Sequence, residues 1–250
     1  MIGREIGHFL VGIMFLTRLP VPATLIYTEG RLARAARYFP MVGVLVGLIT
    51  GGIYFLASQY LDPLLAGTMA IVMGMYVTGA LHEDGFADCC DGLGGGQTRE
   101  QALEIMRDSR IGTYGTCALI GSIALRAVSV STFEAYQGFL ALIIAHALSR
   151  GLLPLVLVSG RYARTRGLAS SVAEGVSTQE AVVAVCFSVV VAMLLGPVAG
   201  IAACAAAVLC GSLMLAILLR RLGGYTGDGL GAIQQVAEIS ILITLSGVLA

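Results

Sequence analysis

The chain has 250 residues and a net charge of zero; 57% of the residues are hydrophobic and 12% are charged. Soluble domains carry about 25% charged residues, so this composition, with a mean hydropathy of +0.89, excludes an ordinary soluble protein. Every cation is an arginine, and no basic run or recognition motif is present, so we expect no nucleic-acid partner. We expect a single integral membrane domain over residues 1–250.

The first apolar stretch, residues 6–16, is followed by the prolines of an LPVP segment. It predicts a short helix that the prolines end, and both a spanning and a re-entrant segment fit the pattern. Arg31, Arg34 and Arg37 then recur every three residues, which predicts a basic stripe on a helix at the membrane surface. A topology anchor and a phosphate-binding surface explain this stripe equally well.

Further apolar runs are long enough to cross a membrane, which takes roughly 20 residues. The longest is divided by Gly196-Pro197, which predicts two spans there. We therefore expect an all-α polytopic integral membrane bundle of about seven or eight transmembrane helices with cytoplasmic polar loops. The predicted spans are 39–61, 64–81, 111–133, 139–158, 181–219 as two helices, and 233–249.

The arginines predict the topology. If the loop with the arginine stripe is cytoplasmic, alternation places three further polar segments on the same side. These four segments hold eleven of the fifteen arginines, and the loops on the other side hold none. This positive-inside pattern predicts a multi-pass protein of the cell inner membrane with its polar motifs facing the cytoplasm.

The polar segment 79–115 holds seven of the fifteen acids. Asp84, Asp88 and Asp91 are spaced at i, i+4 and i+7, so a helix would place them on one face. Carboxylates in this arrangement repel one another unless a cation lies among them. Oxygen ligands favour Mg²⁺, with Mn²⁺ as the alternative, and Ca²⁺ usually requires a more flexible cage rich in carbonyl groups.

The same segment offers groups for phosphate and proton transfer. Arg107 and Arg110 flank Asp108 and Ser109, and guanidinium groups bind phosphate bidentately. His82 is a candidate ligand-orienting group or general base. Asp228, in the glycine-rich GGYTGDGLG segment, is either a turn residue or a second acidic contribution to the same site. No Walker motif is present, which argues against an ATPase.

Arg126, His146 and Arg150 are ionisable residues within the predicted spans. Such residues are costly inside a membrane and are functional candidates by default. A structural network and snorkelling to the surface are the alternatives. His146 and Arg150 are four residues apart and so share one helical face.

Two central segments resemble those of the cobalamin synthase family, the adenosylcobinamide-GDP ribazoletransferases: HEDGFADCCDG and EIMRDSRIGTYG. Family members carry H-x-D-G-x-x-D-x-x-D-G and IM-[RK]-D-S-R-x-G-T-x-G at this separation. The FLTRLPVP, RYAR and GGYTGDGLGA segments also look like family motifs in family order, so the resemblance covers nearly the whole chain. Glu83 departs from the family, in which an apolar residue is common, but the His and Asp positions match.

The resemblance implies a Mg²⁺-dependent transferase that joins adenosylcobinamide-GDP to α-ribazole or α-ribazole 5′-phosphate and releases GMP. The product is adenosylcobalamin or its 5′-phosphate, in the last assembly step of the nucleotide loop. Which form of α-ribazole is preferred, and the oligomeric state, a homo-oligomer included, stay open. The implied partners are these two substrates and membrane lipid.

The resemblance also implies roles for individual residues. His82 or Asp108 accepts the proton of the attacking hydroxyl, and which of the two acts stays open. The remaining assignments are metal binding by Asp84, Asp88, Asp91 and Asp228, with ribose binding as the alternative for Asp228, and substrate binding by Arg18, Arg107, Ser109, Arg110 and Thr113.

Two other functions fit part of the pattern. A CDP-alcohol phosphotransferase of lipid synthesis performs similar chemistry, but its D-G-x-x-A-R motif is not matched after Asp84-Gly85. A divalent-metal-coupled transporter would place its carboxylates near the middle of broken spans, whereas the acids of segment 79–115 are expected at one membrane face.

Overall fold

The computed structural model describes residues 2–22, 29–159, 161–163 and 175–249. This part of the chain is helical and has no strand beyond one isolated bridge between Tyr162 and Tyr225. The helices are α1 (Ile2–Leu16), α2 (Glu29–Ala35), α3 (Phe39–Ala57), α4 (Pro63–Thr78), α5 (Leu81–Gly95), α6 (Arg99–Ile105), α7 (Thr113–Ser131), α8 (Ala135–Gly151), α9 (Leu153–Ser159), α10 (Thr178–Ala192), α11 (Pro197–Leu222) and α12 (Gly227–Leu249).

Six of the described helical segments are long and apolar enough to cross a membrane, and the bent pair α4–α5 raises the number to seven. The predicted all-α membrane bundle is thus confirmed, with a number of spans at the lower end of the expectation. The first apolar stretch is a helix of 15 residues that ends before the prolines, as predicted. At about 1.5 Å per residue it is some 22 Å long, shorter than the hydrocarbon core.

The polar loops lie together at one end of the bundle, called here the polar end. Arg99 of α6 donates to Leu222 O at 2.7 Å and to Ala163 O at 2.8 Å. Arg221, from the end of α11, donates back to Gly96 O at 2.7 Å. The shared polar end predicted from the arginines is therefore present. Arg164 and Arg166, predicted to face it, lie outside the described residues.

The contact between α3 and α8 explains how the bundle packs without large side chains at the crossing. Gly43, Gly47 and Gly51 form a stripe with a spacing of four on α3. A Cβ atom on Gly43 would lie 2.2 Å from His146 O, and one on Gly47 would lie 2.5 Å from the Cα atom of Ile143. Close backbone approach through small residues is a common way of packing helices in membranes.

The buried apolar residues form two clusters with a charged layer between them. The cluster at the polar end includes Val42, Cys89 and Ile233. The other includes Tyr54 and Ile241, and there the Tyr54 hydroxyl donates to Phe133 O at 2.7 Å. Along α12, the buried polar residues Gln234, Gln235 and Glu238 lie between Ile233 of the first cluster and Ile241 of the second.

Candidate active site

Helix α5 begins at a sharp bend that the sequence did not predict. At the end of α4 the Ala80 amide donates to Met75 O at 2.7 Å, and Gly79 has a left-handed φ of +64°, as in a Schellman motif. Ala80 follows with a φ of +54°, the only positive value at a non-glycine residue in the described chain. As a result α5 leaves α4 at 93° and forms a separate helix that carries the acidic motif.

The three aspartates of the motif share one face of α5, as their spacing predicted, but their environments differ. Asp84 is exposed, Asp88 is half-buried and Asp91 is buried. Only the first two therefore present carboxylate oxygens to a ligand arriving from outside the bundle.

The carboxylate of Asp91 forms hydrogen bonds with the start of the next spanning helix, α7. Its Oδ2 atom accepts from the Gly112 amide at 2.7 Å, and its Oδ1 atom accepts from the Gly115 amide at 2.8 Å. A Cβ atom on either glycine would lie 2.4 Å from an Asp91 oxygen. The carboxylate thus satisfies two of the unpaired amides at the N-terminus of α7 and complements the helix dipole there.

Asp228 lies beside the acidic motif. It is the second residue of α12, and its backbone packs on α5 so closely that a Cβ atom on Gly85 would lie 2.8 Å from Asp228 O. A Cβ atom on Gly231 would lie 3.0 Å from His82 O. The glycines of the two motifs therefore allow α5 and the start of α12 to be in backbone contact.

Arg18 is held against the bend that precedes α5. Its amide donates to Val77 O at 2.7 Å, and its exposed side chain lies over Gly79, where a Cβ atom would be 2.3 Å from Nε. The structure therefore brings Arg18 close to the start of the acidic motif, although the two are more than 60 residues apart in the sequence.

The RDSR segment lies between α6 and α7 at the polar end. Arg110 binds Asp108 through Nε at 3.1 Å and through Nη2 at 2.6 Å. These hydrogen bonds hold the pKa of the Asp108 carboxyl below its usual value, so the group is a weak proton acceptor. Arg107, Ser109 and Thr113 are exposed and available to a ligand.

His82 is buried on the first turn of α5, with 3% of its surface exposed. It is near enough to Arg150, Glu238 and His146 to interact with them electrostatically. A base in this position is reached only by a substrate group that enters the bundle beside α5. The structure therefore separates the two candidate bases, with Asp108 on the surface and His82 inside.

The described residues include no group of three or more His, Cys, Asp or Glu side chains that could hold a metal ion by themselves. Mg²⁺ usually binds through one or two carboxylates, with waters and substrate phosphates completing the shell. Asp84 and Asp88, one turn apart on an accessible face, fit that donor set. Asp91 fits it less well because both its oxygens accept amide protons.

A buried charged network lies directly below the acidic motif. Arg126 Nη1 donates to Glu83 Oε1 at 3.0 Å and to Glu238 Oε1 at 2.9 Å. His146 Nδ1 lies 2.9 Å from Glu238 Oε2, and Arg150 Nη1 lies 3.6 Å from the same oxygen. Arg126, His146 and Arg150 thus form the structural network that was one of the sequence-based alternatives.

Two glutamines of α12 complete the network. Gln235 Nε2 donates to Glu83 Oε1 at 3.2 Å, and Gln234 Nε2 donates to Glu238 Oε2 at 2.6 Å. Sequence reasoning missed Gln234, Gln235 and Glu238. The available signal was the spacing of four between Gln234 and Glu238 within an otherwise apolar span, because polar residues inside a span usually pair with one another.

The network also corrects the expectation that the acids of segment 79–115 gather at one membrane face. Helix α5 runs antiparallel to α7, with Asp91 at the start of α7 and Glu83 at Arg126, 11 residues beyond Gly115. Glu83 and Asp91 are eight residues apart on α5, so at 1.5 Å per residue Glu83 lies at most about 12 Å further into the bundle than Asp91. The acidic motif therefore extends from the polar end into the bundle.

A small cavity adjoins the network between α4, α5, α7, α8 and α12. It offers about 10 Å³ to the centre of a water molecule, which is room for about one water. Four buried atoms of its lining side chains make no hydrogen bond within the protein: Glu83 Oε2, Arg126 Nη2, His146 Nε2 and Arg150 Nε.

Comparison with known proteins identifies one family along nearly the whole chain. The family model described as cobalamin-5-phosphate synthase matches residues 8–246. An adenosylcobinamide-GDP ribazoletransferase of Bradyrhizobium diazoefficiens is 40% identical over 244 residues, 97% of this chain and 94% of the relative. A relative with the same name in Shewanella baltica is 36% identical over 241 residues, which is 94% of this chain and 92% of the relative. Another, in Ralstonia pickettii, is 40% identical over 237 residues, which is 91% of this chain and 90% of the relative.

No solved structure matches this chain.

Proposed function

The chain belongs to the cobalamin-5-phosphate synthase family, and from this premise we propose that it is a Mg²⁺-dependent adenosylcobinamide-GDP ribazoletransferase. It joins the GDP-activated corrinoid to α-ribazole or α-ribazole 5′-phosphate and releases GMP. The family match over residues 8–246 is the observation that carries the proposal. The grouping of the carboxylate and arginine motifs at one end of the bundle supports it.

The reaction is a phosphoryl transfer. A ribose hydroxyl oxygen of the acceptor forms a bond to the phosphorus attached to cobinamide. The bond from that phosphorus to the bridging pyrophosphate oxygen breaks, GMP leaves with that oxygen, and the hydroxyl proton passes to a base. Such reactions depend mostly on positioning and on neutralising phosphate charge.

Residues at the polar end can supply these functions. Arg107 and Arg18 are exposed and can bind phosphate oxygens, as can Arg110 once its pairing with Asp108 is exchanged for substrate. Arginine is well suited to this role because its planar fork matches phosphate geometry. Ser109 and Thr113 can donate hydrogen bonds at the start of α7.

The proposed metal is Mg²⁺, with Mn²⁺ as a substitute, held by Asp84 and Asp88 with Asp228 nearby. When bound, it would neutralise charge on the pyrophosphate. Asp91 stays a predicted metal ligand, and its hydrogen bonds to amides of α7 give it a second possible role in capping that helix. Asp108 becomes free to act as a base only when Arg110 exchanges the carboxylate for substrate, and His82 and Asp108 both stay candidate bases.

The arginine distribution supports a location in the cell inner membrane with the polar end facing the cytoplasm. In this orientation nucleotide-activated substrate and GMP would meet the site on the cytoplasmic side. The membrane lipid around the apolar helices and any homo-oligomer belong to the same proposal.

The test is GMP release by the purified protein in nanodiscs given adenosylcobinamide-GDP and α-ribazole, with Mg²⁺, with Mn²⁺ or with EDTA. We expect metal-dependent GMP and a corrinoid product, both lost in Asp88→Asn. Glu104→Gln is the matched control, because Glu104 is an exposed carboxylate on α6 at the same end. Replacing α-ribazole by its 5′-phosphate identifies the preferred acceptor.

Two outcomes would contradict the proposal. If the folded wild-type protein releases no GMP with any metal, the transferase assignment fails and metal uptake into proteoliposomes is measured instead. If diacylglycerol or glycerol phosphate replaces α-ribazole as the acceptor, the protein is a lipid phosphotransferase. Full activity of Asp88→Asn would preserve the reaction and remove Asp88 from the metal site.

A further inference from the structure

Glu83 is the one acid of the motif that points away from the accessible face of α5. Its side chain is 6% exposed, whereas the neighbouring Asp84 is exposed. It accepts hydrogen bonds from two other helices, from Arg126 of α7 at 3.0 Å and from Gln235 of α12 at 3.2 Å. The side chain therefore attaches the first turn of α5 to the interior of the bundle.

The charge balance of the network makes this attachment difficult to release. Two carboxylates, Glu83 and Glu238, face two guanidinium groups, Arg126 and Arg150, and all four side chains are at most 6% exposed. A buried charge is stable only while it is paired and hydrogen-bonded. Turning Glu83 out of the network would leave Arg126 Nη1 with Glu238 as its single charged partner.

This contact holds the rotation of α5 about its axis at the first turn of the helix, and the hydrogen bonds of Asp91 to α7 hold it two turns later. Successive residues of a helix point about 100° apart, so holding Glu83 inward turns Asp84 outward, and Asp88 follows one turn later. The bend at Gly79 and Ala80 interrupts the helix, so α5 does not inherit its rotation from α4. The backbone contacts at Gly85 and Gly231 fix how close α5 and α12 come.

We propose that Glu83 is a positioning residue: through Arg126 and Gln235 it sets the rotation of α5 and thereby the direction in which Asp84 and Asp88 face. Its effect on catalysis rests on the proposed function. The rotation itself does not, because it follows from contacts within the described chain. Glu83 needs no contact with substrate or metal in this role.

Two native cysteines of α5 can report the rotation. Cys89 is fully buried and its neighbour Cys90 is half-buried, so a rotated α5 changes which of the two thiols meets a reagent. Cys204 and Cys210 of α11 are also partly buried and report general opening of the bundle. Site-resolved labelling with N-ethylmaleimide, read by mass spectrometry, distinguishes these cases.

The variants are Glu83→Ala, which removes both hydrogen bonds, and Glu83→Gln, which keeps an acceptor oxygen for Arg126. We expect Glu83→Ala to label at Cys89 about tenfold faster than wild type, a change of about 1.4 kcal/mol in the opening equilibrium, with Cys204 and Cys210 unchanged. Glu83→Gln is expected to restore most of the protection. The exposed Glu104→Gln serves as the matched control and should label as wild type.

Protection of Cys89 in a folded Glu83→Ala variant would overturn the proposal, as would equal acceleration at all buried thiols. If Glu83→Ala does not fold, Gln235→Leu removes one of the two donors and leaves the ion pairs intact. A smaller rise at Cys89 alone is then expected, and no rise overturns the proposal.

A catalytic measurement separates this proposal from the proposed function. If wild type releases GMP, Glu83→Ala is expected to need more Mg²⁺ for half-maximal activity and Glu83→Gln to approach wild type. If wild type releases no GMP while Cys89 becomes reactive in Glu83→Ala, the positioning role holds and the transferase assignment fails.

Discussion

Replacing Asp91 by asparagine separates a structural role of this carboxylate from a metal-binding one. Its two oxygens accept the Gly112 and Gly115 amides at 2.7 and 2.8 Å, within the range of charge-assisted hydrogen bonds. An asparagine has one acceptor oxygen, so its amide group would face the second N–H. One buried amide is then left without an acceptor, and the charge at the N-terminus of α7 is lost.

The expected cost follows from these two losses. A buried donor without a partner costs about 1–3 kcal/mol, and a charge near a helix N-terminus contributes about 0.3–1 kcal/mol. Asp91→Asn should therefore lower the free energy of unfolding by about 1–4 kcal/mol. Asp84→Asn is the matched control on the same helix, and as an exposed residue it should change stability by less than about 0.5 kcal/mol.

The assay is unfolding in mixed micelles at increasing denaturing detergent, carried out in EDTA and again with Mg²⁺. A capping role predicts the same destabilisation in both conditions. A ligand role predicts that the difference appears only with Mg²⁺, because a bound ligand stabilises the folded state in proportion to its occupancy. Absence of destabilisation in EDTA would refute the capping role and return Asp91 to the metal site.

Four further predictions concern other parts of the structure. Gly231→Ala places a methyl group 3.0 Å from the backbone of α5 and should cost about 1–3 kcal/mol of stability; Gly247→Ala, with nothing within 4 Å, should be neutral in the same unfolding assay. Hydrogen bonds from Arg110 lower the pKa of Asp108, so this carboxylate stays ionised above about pH 4, and the pair is lost only as the pH falls through the lowered value. If the pH profile of GMP release has an acid limb between about pH 5 and 8, the limb belongs to another group and should persist in Asp108→Asn; its disappearance in that variant would identify Asp108 as the titrating base. Arg126→Leu removes the positive charge that pairs with the buried carboxylates of Glu83 and Glu238 and should lower the free energy of unfolding by about 3–5 kcal/mol. A variant as stable as wild type would show that the network is not formed. The cavity beside the network should show one ordered water in a high-resolution experimental structure, and a dry cavity would contradict the expectation that a water satisfies the four buried polar atoms around it.

The spans and the shared polar end could be predicted from the sequence because both depend on local composition. An apolar run of sufficient length must cross the membrane, and arginines collect on one side. The spacing of Asp84, Asp88 and Asp91 likewise gave their common helical face, because that face depends only on helix geometry. These predictions needed no knowledge of which helices are neighbours.

The bend before α5 and the direction of Glu83 were not predictable in the same way. A glycine followed by an alanine does not show that both residues are left-handed, because for alanine this conformation is unfavourable and must be imposed by the surrounding structure. Glu83 could be placed with the acids of the motif or inside the bundle. The choice depends on Arg126 and Gln235, which are 43 and 152 residues away in the sequence.

The order of the charged residues along the chain has a consequence for membrane insertion. Arg126 and Arg150 enter the bilayer with α7 and α8, but Glu238, which pairs with both, arrives with α12. A charged residue at the centre of a helix costs about 2.5–3.5 kcal/mol during translocon-mediated insertion. Until α12 is synthesised, Glu83 is the only acid of the network available to the two arginines. The charge balance around the two arginines is therefore complete only after α12 has been synthesised, and the final packing of α7 and α8 requires the last helix of the chain.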